Sequence, residues 1–177
     1  MNYVNNAGLE LTILSREGRD CVVKFTESGS VREANIDNII AGKVKDLYYP
    51  SRYGVGYDGE FDKPPYWKRA RQLWSNMMKR CYSTKDTKGY YGRAFVDARW
   101  HCFADFLDDI KGLSGFHKWL AGTGMELDKD YLCKGNDTYS KHTCCFLSTF
   151  KNRSIQPNYR TGKQYCKETQ TWITTKS

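Results

Sequence analysis

Apolar and polar positions alternate early in the chain. Leu9, Leu11 and Ile13 are separated by polar residues, as are Val23 and Phe25, and this period of two predicts β structure across residues 9–36. Glu27-Ser28-Gly29-Ser30 supplies a turn in which glycine takes positive φ. Val31 leads on to Ile36, Ile39 and Ile40, and Gly42 closes a small sheet or hairpin with its own apolar face. From 43 to 65 the period disappears among Pro50, Gly54, Gly56, Gly59, Pro64 and Pro65, which reads as loop. Four tyrosines in that stretch argue for an ordered connection packed on the helix that follows. Trp67, Ala70, Trp74, Met77 and Cys81 then recur at spacings of three and four and predict a helix over 66–82. At 100° per residue they occupy a sector of about 80°. Lys68, Gln72 and Lys79 lie opposite, with Arg69, Arg71 and Arg80 on the flanks.

Tyr90-Tyr91-Gly92 marks a turn, and Asp97 is placed to cap a second helix with Trp100, Phe103, Phe106, Leu107 and Ile110 on one face. Asp105, Asp108 and Asp109 read as its solvated surface rather than as a metal cluster. Residues 126–153 read as a short strand carrying Asp128, a Gly-Asn-Asp turn, a second strand at 144–147, and a helix capped by Ser148 or Thr149 with Asn152 in its first turns. From Pro157 onward the pattern predicts two short strands around Lys167-Glu168-Thr169-Gln170. The expected organisation is a small β region with its connection at 1–62, a helical segment with a compact core at 63–156, and a hairpin tail at 157–177. The fold class is α+β.

Composition narrows the function. The 177 residues suit one compact unit with small β appendages, and no apolar run approaches the roughly 20 residues that cross a bilayer. The first residues have no basic flank and no apolar stretch, so the expected location is the cytoplasm. Lys and Arg number 28 against 20 Asp and Glu, a formal charge of +8, and 13 tyrosines accompany them. A basic, aromatic-rich chain suits a polyphosphate partner, and double-stranded DNA is the expectation. Its contacts are assigned to Lys68, Arg69, Arg71, Lys79 and Arg80 on the helix, to Arg153, and to Arg160 and Lys163 in the tail. The seven cysteines contain no Cys-x-x-Cys pair and are read as reduced and mostly buried. A zinc site from Cys133, His142 and Cys144 fits no common module, so zinc is not expected. The Asp128 carboxylate and Asn152 carbonyl are oxygen ligands suited to Mg²⁺, which could polarise a phosphodiester.

The order Leu127-Asp128-Lys129-Asp130, Gly135-Asn136, Tyr139-Ser140, Cys144, Asn152-Arg153 resembles the HNH endonucleases, in particular their phage and intron-borne branch. Trp74, Met77, Arg80-Cys81-Tyr82, Tyr91-Gly92, Val96, Trp100, Phe103, Phe106 and Asp109 fit the same branch, so the likeness spans roughly 70–153. The resemblance implies a ββα-metal core, one-metal DNA cleavage with Mg²⁺ or Mn²⁺, and an origin in a phage or another mobile element. By position, Asp128 matches the first metal ligand and Asn152 the last. The family's histidine base falls on Lys129 and its mid-motif asparagine on Thr143, two departures, with His142 next door as a replacement base. A general base works best with a pKa near neutrality, where histidine lies and lysine does not. The expectation is therefore a DNA-binding protein, working without a partner protein, whose site is degenerate at the base. It is a metal-dependent endonuclease or, alternatively, a non-cleaving DNA binder or a binder of a host protein.

Overall fold

The computed structural model describes residues 2–85 and 91–155, together with the backbone of two further strands at 163–166 and 171–174. The chain is mixed α+β, and among the described residues no helix is long and apolar enough to cross a membrane.

The first unit is an antiparallel sheet of four strands in sequence order: β1 (Asn2–Val4), β2 (Glu10–Glu17), β3 (Asp20–Phe25) and β4 (Val31–Asn35). Leu11 stands opposite Phe25 and Ile13 opposite Val23, so the alternating apolar residues share one face. That face is closed by the short helix α1 (Ile36–Ile40), which buries Ile36 and Ile39. Asn35 ends β4 and starts α1: its side-chain oxygen accepts the Asp37 N–H at 3.0 Å. The isoleucines after Val31 thus belong to a helix, not to the predicted β run. The strand β1, which has no apolar period, is held by Asn5, whose side chain donates to Val44 O at 3.0 Å and accepts from Leu9 N at 2.9 Å.

The Tyr- and Gly-rich segment is ordered and packs against the next helix, α2 (Trp67–Tyr82). Arg52 and Gly56 form an isolated antiparallel bridge. A Cβ on Gly56 would lie 2.9 Å from both Trp74 and Met78 of α2, so the backbone fits there only without a side chain. Ala70, Trp74, Met77, Met78 and Cys81 form the buried stripe of α2. Trp74 donates its indole N–H to Trp100 O at 2.7 Å.

The predicted second helix is broken in two. Asp97 caps a 3₁₀ turn at Ala98–His101, and α3 runs from Phe103 to Asp109. Between them Cys102 is extended, because Tyr57 forms a parallel bridge there. Tyr57 N–H donates to His101 O and Phe103 N–H to Tyr57 O, both at 2.9 Å. A remote residue therefore takes the backbone groups that a continuous helix would use.

The remaining elements are β5 (Phe95–Val96), α4 (Phe116–Leu120), β6 (Met125–Asp128), β7 (Thr138–Tyr139), β8 (Cys145–Ser148), α5 (Thr149–Ile155), β9 (Lys163–Cys166) and β10 (Thr171–Thr174). β5 pairs in parallel with β7, while β6–β8 and β9–β10 are antiparallel pairs. α4 follows Gly115, whose φ of 84° and close approach to Phe146 O both require glycine. Trp119 of α4 stacks on Phe146 of β8 with centroids 5.1 Å apart.

Replacing Gly56 with Ala should destabilise the fold by about 1–3 kcal/mol, the usual cost of overpacking a filled core. Urea unfolding monitored by tryptophan fluorescence should show the midpoint shift.

Candidate functional site: the β6–β8–α5 unit

The two strands of this unit sort their side chains by the period of two. Leu127 and its cross-strand partner Phe146 enter the main core. Glu126 and Asp128 therefore point to the other face, with their partners Leu147 and Cys145. The helix α5 packs on both strands. Ser148 Oγ accepts the Lys151 N–H at 3.3 Å, and Thr149 Oγ1 donates to Gly124 O at 2.9 Å, so the start of α5 is pinned to the beginning of β6.

Asp128 is buried at the end of β6. Its Oδ1 accepts two backbone N–H groups, from Asp130 at 3.0 Å and Tyr131 at 2.6 Å. Burial pushes its pKa above the usual carboxylate range, against the Tyr131 N–H, which favours the ionised form. Asn152 is also buried; its Nδ2 donates to Glu126 Oε2 at 2.7 Å. A carboxylate only accepts, so this bond fixes which end of the amide faces Glu126. The opposite atom, Asn152 Oδ1, is buried without a hydrogen-bond partner. Glu126 is a member of this site that the sequence reading missed. Its signal was available, since residues two apart on a strand share a face with Asp128.

The two base candidates lie apart from these oxygens in their bonding. Lys129 is buried, and its Nζ donates to Asp130 Oδ1 and Asn136 O, each at 2.6 Å, while sitting 5.9 Å from the Tyr139 ring. It acts as a donor that closes the 130–136 loop, and a base would need a free lone pair. Asn136 reinforces the loop by donating to Lys129 O and Thr138 O. His142 is exposed in the turn before β8, where its backbone N–H donates to Ser140 Oγ at 3.3 Å. Thr143, at the mid-motif asparagine position, donates its hydroxyl to Thr138 O at 2.8 Å.

No group of three or more His, Cys, Asp or Glu side chains arranged to hold a metal occurs among the described residues. Cys144 sits in the core, where burial pushes its thiol up to about 12, while Cys133 is exposed. The aspartates of α3 are tied to cations: Arg99 to Asp109 at 2.8 Å and to Asp105 at 3.2 Å, and Lys111 to Asp108 at 2.5 Å.

The basic residues divide by environment. Arg71 pairs with Asp58 and its guanidinium lies 3.9 Å from the Phe103 ring centre, so it holds the fold together. Arg69 lies over Trp119 at 4.3 Å, and Arg80 donates to Tyr139 Oη at 2.8 Å. Lys68 and Lys79 face solvent on α2, and Arg153 is exposed on α5. Arg160 and the side chain of Lys163 lie outside the described residues. Charge is also uneven along the chain: residues 1–46 hold six Lys and Arg against seven Asp and Glu, while 47–177 hold 22 against 13. The cationic surplus belongs to the part that carries α2 and α5.

No family model, curated protein or solved structure matches the chain.

The raised pKa of Asp128 fixes the sign of a pH effect. A carboxyl titrating higher in the folded state than in the unfolded one contributes stability at low pH, and that contribution is lost as pH rises through its folded pKa. Asp128→Asn keeps the side-chain oxygen that caps the 130–131 turn and removes the charge. Its Tm relative to wild type should rise between pH 4 and pH 7, as read by circular dichroism in a metal-free buffer.

Proposed function

We propose that the chain is a DNA-binding protein of HNH-like fold whose β6–β8–α5 unit holds a divalent cation beside a bound phosphodiester and hydrolyses it. The observation that carries this reading is a pair of buried oxygen ligands, one at the end of β6 and one on the helix α5, which packs on β6 and bonds Glu126 of the same strand. One is the Asp128 carboxylate, poorly solvated; the other is Asn152 Oδ1, which has no hydrogen-bond partner. Unsatisfied buried acceptors are rare and cost about 1–3 kcal/mol each. Hard oxygen donors of this kind suit Mg²⁺ or Mn²⁺. Such an ion, when bound, supplies Lewis-acid polarisation of a phosphoryl oxygen and lowers the pKa of a bound water.

The chain's own residues have separate tasks on this reading. Asp128 and Asn152 hold the ion. Glu126 orients Asn152 so that its oxygen, not its nitrogen, faces away from the carboxylate. Lys68, Lys79 and Arg153 draw the DNA backbone to the surface. The protein works on DNA in the cytoplasm of a cell that hosts a phage or another mobile element.

A second reading has its own support. Lys129 spends its protons on Asp130 and Asn136 O, which is the behaviour of a structural ammonium. A chain without a base at that position binds DNA, or a host protein, without cutting.

Plasmid nicking in Mg²⁺ and Mn²⁺ separates the two. Cleavage by the wild type that is abolished in Asp128→Ala, with DNA affinity nearly unchanged, supports the nuclease. Lys129→His should then raise the rate, within the range of about 10²–10⁴-fold typical of general-base terms. If neither protein nicks DNA, the hydrolytic reading falls and the binding reading stands.

Binding is tested by fluorescence anisotropy with duplex DNA. Affinity should fall steeply with salt, and the double variant Lys68→Ala/Lys79→Ala should reduce the salt slope by roughly two, near one for each lost phosphate contact. No detectable binding at low salt would sink both DNA readings.

A further inference from the structure

Tyr53 is the one non-glycine residue among those described with positive φ, at 53°. It is followed by Gly54 at 71°, and Val55 N–H donates to Arg52 O at 3.1 Å. Two consecutive positive φ values at the centre of a four-residue turn are the mark of a type I′ hairpin turn, whose first central position favours Asn, Asp or Gly. A tyrosine there is strained, because an L side chain crowds its own backbone in the left-handed region. Tyr53 is 40% exposed, and none of the ring contacts between described residues includes it. The turn itself is firmly staked: Arg52 and Gly56 exchange backbone hydrogen bonds at 2.8 and 2.9 Å, and Gly56 is wedged against Trp74 and Met78. A strained aromatic side chain on a rigid exposed tip is a feature that function, not stability, retains.

The segment that carries the tip packs on α2, where Asp58 meets Arg71 and Gly56 meets Trp74 and Met78. Arg52, the neighbour of Tyr53, is exposed as well.

We infer that Tyr53 is a stacking residue for nucleic acid: its ring, on the rigid 52–56 hairpin, packs on the face of an unpaired base while Arg52 meets the adjoining phosphate. The inference rests on the DNA-binding reading and deepens it by naming the kind of site preferred. A paired base inside a duplex hides both its faces in the stack, so one exposed ring finds a partner only where a base is unpaired or terminal. Stacking of this kind tolerates any base sequence, since every base has a π-face.

The test uses the whole chain, as wild type, Tyr53→Gly and Tyr53→Phe, on a fully paired duplex and on the same duplex with one bulged 2-aminopurine. The wild type should prefer the bulged duplex by about 5–100-fold, in line with the worth of one base–aromatic stack, and should quench the 2-aminopurine fluorescence. Tyr53→Phe should keep both properties. Tyr53→Gly should lose both, retain its binding to the paired duplex, and show a Tm equal to or above that of the wild type, because glycine relieves the turn. A wild type that binds both duplexes alike, a Gly variant that keeps the preference, or a Gly variant whose Tm falls would each overturn the stacking role. Failure of the wild type to bind either duplex at low salt would overturn the DNA-binding reading instead.

Discussion

Burial of Trp74 organises the main part of this molecule. Its indole lies fully inside the core, and its N–H must find an acceptor there. The acceptor is Trp100 O, in the short turn before α3. This one bond sets the distance between α2 and the 98–112 segment, with Phe103 packed on the same ring at 5.5 Å. It also explains the glycine opposite. Once the indole is fixed, the chain at residue 56 can pass only without a Cβ. The placement of Gly56 in turn lets Tyr57 reach the backbone of His101 and Phe103 and interrupt the helix at Cys102.

The candidate site hangs from the other side of the same helix. Arg80 reaches Tyr139 of β7, and Arg69 covers Trp119 of α4, which stacks on Phe146. Phe146 faces Leu127 across the β6–β8 pair. Two arginines that a charge count assigns to phosphate contact therefore also brace the strands that carry Asp128. Their aliphatic stems and planar heads pack between elements in a way that the exposed lysines at 68 and 79 do not.

Much of this was legible in the sequence wherever the information is local. The stripe of α2, the Asp97 cap, the β6–β8–α5 order and the paired strands around 167–170 all follow from spacing and turn residues, whereas the two-residue strand β7, which pairs with the distant β5, does not. What could not be read depends on partners far along the chain. The break at Cys102 needs Tyr57, the strand β1 needs Asn5 and its bond to Val44, and the sequestration of Arg71 needs Asp58. Five-residue helices such as α1 and α4 are too short to show a period. At the candidate site, Asp128 and Asn152 were visible as residue types, but the unpartnered state of Asn152 Oδ1 is a property of the packed structure alone.

The electrostatics of that site turn on where Lys129 goes. It is the residue next to Asp128, yet its ammonium is committed to Asp130 and to Asn136 O. Burial, not the Lys129 charge, dominates the Asp128 carboxyl and raises its pKa. A buried carboxylate whose neighbouring cation is engaged elsewhere pays for its burial without full electrostatic return. Asn152 Oδ1 lacks a donor: Glu126 holds the amide's nitrogen, and the oxygen is buried without a hydrogen-bond partner. Both residues also do structural work, Asp128 by accepting the Asp130 and Tyr131 N–H groups and Asn152 by donating to Glu126, so an apolar residue in either place would orphan a partner.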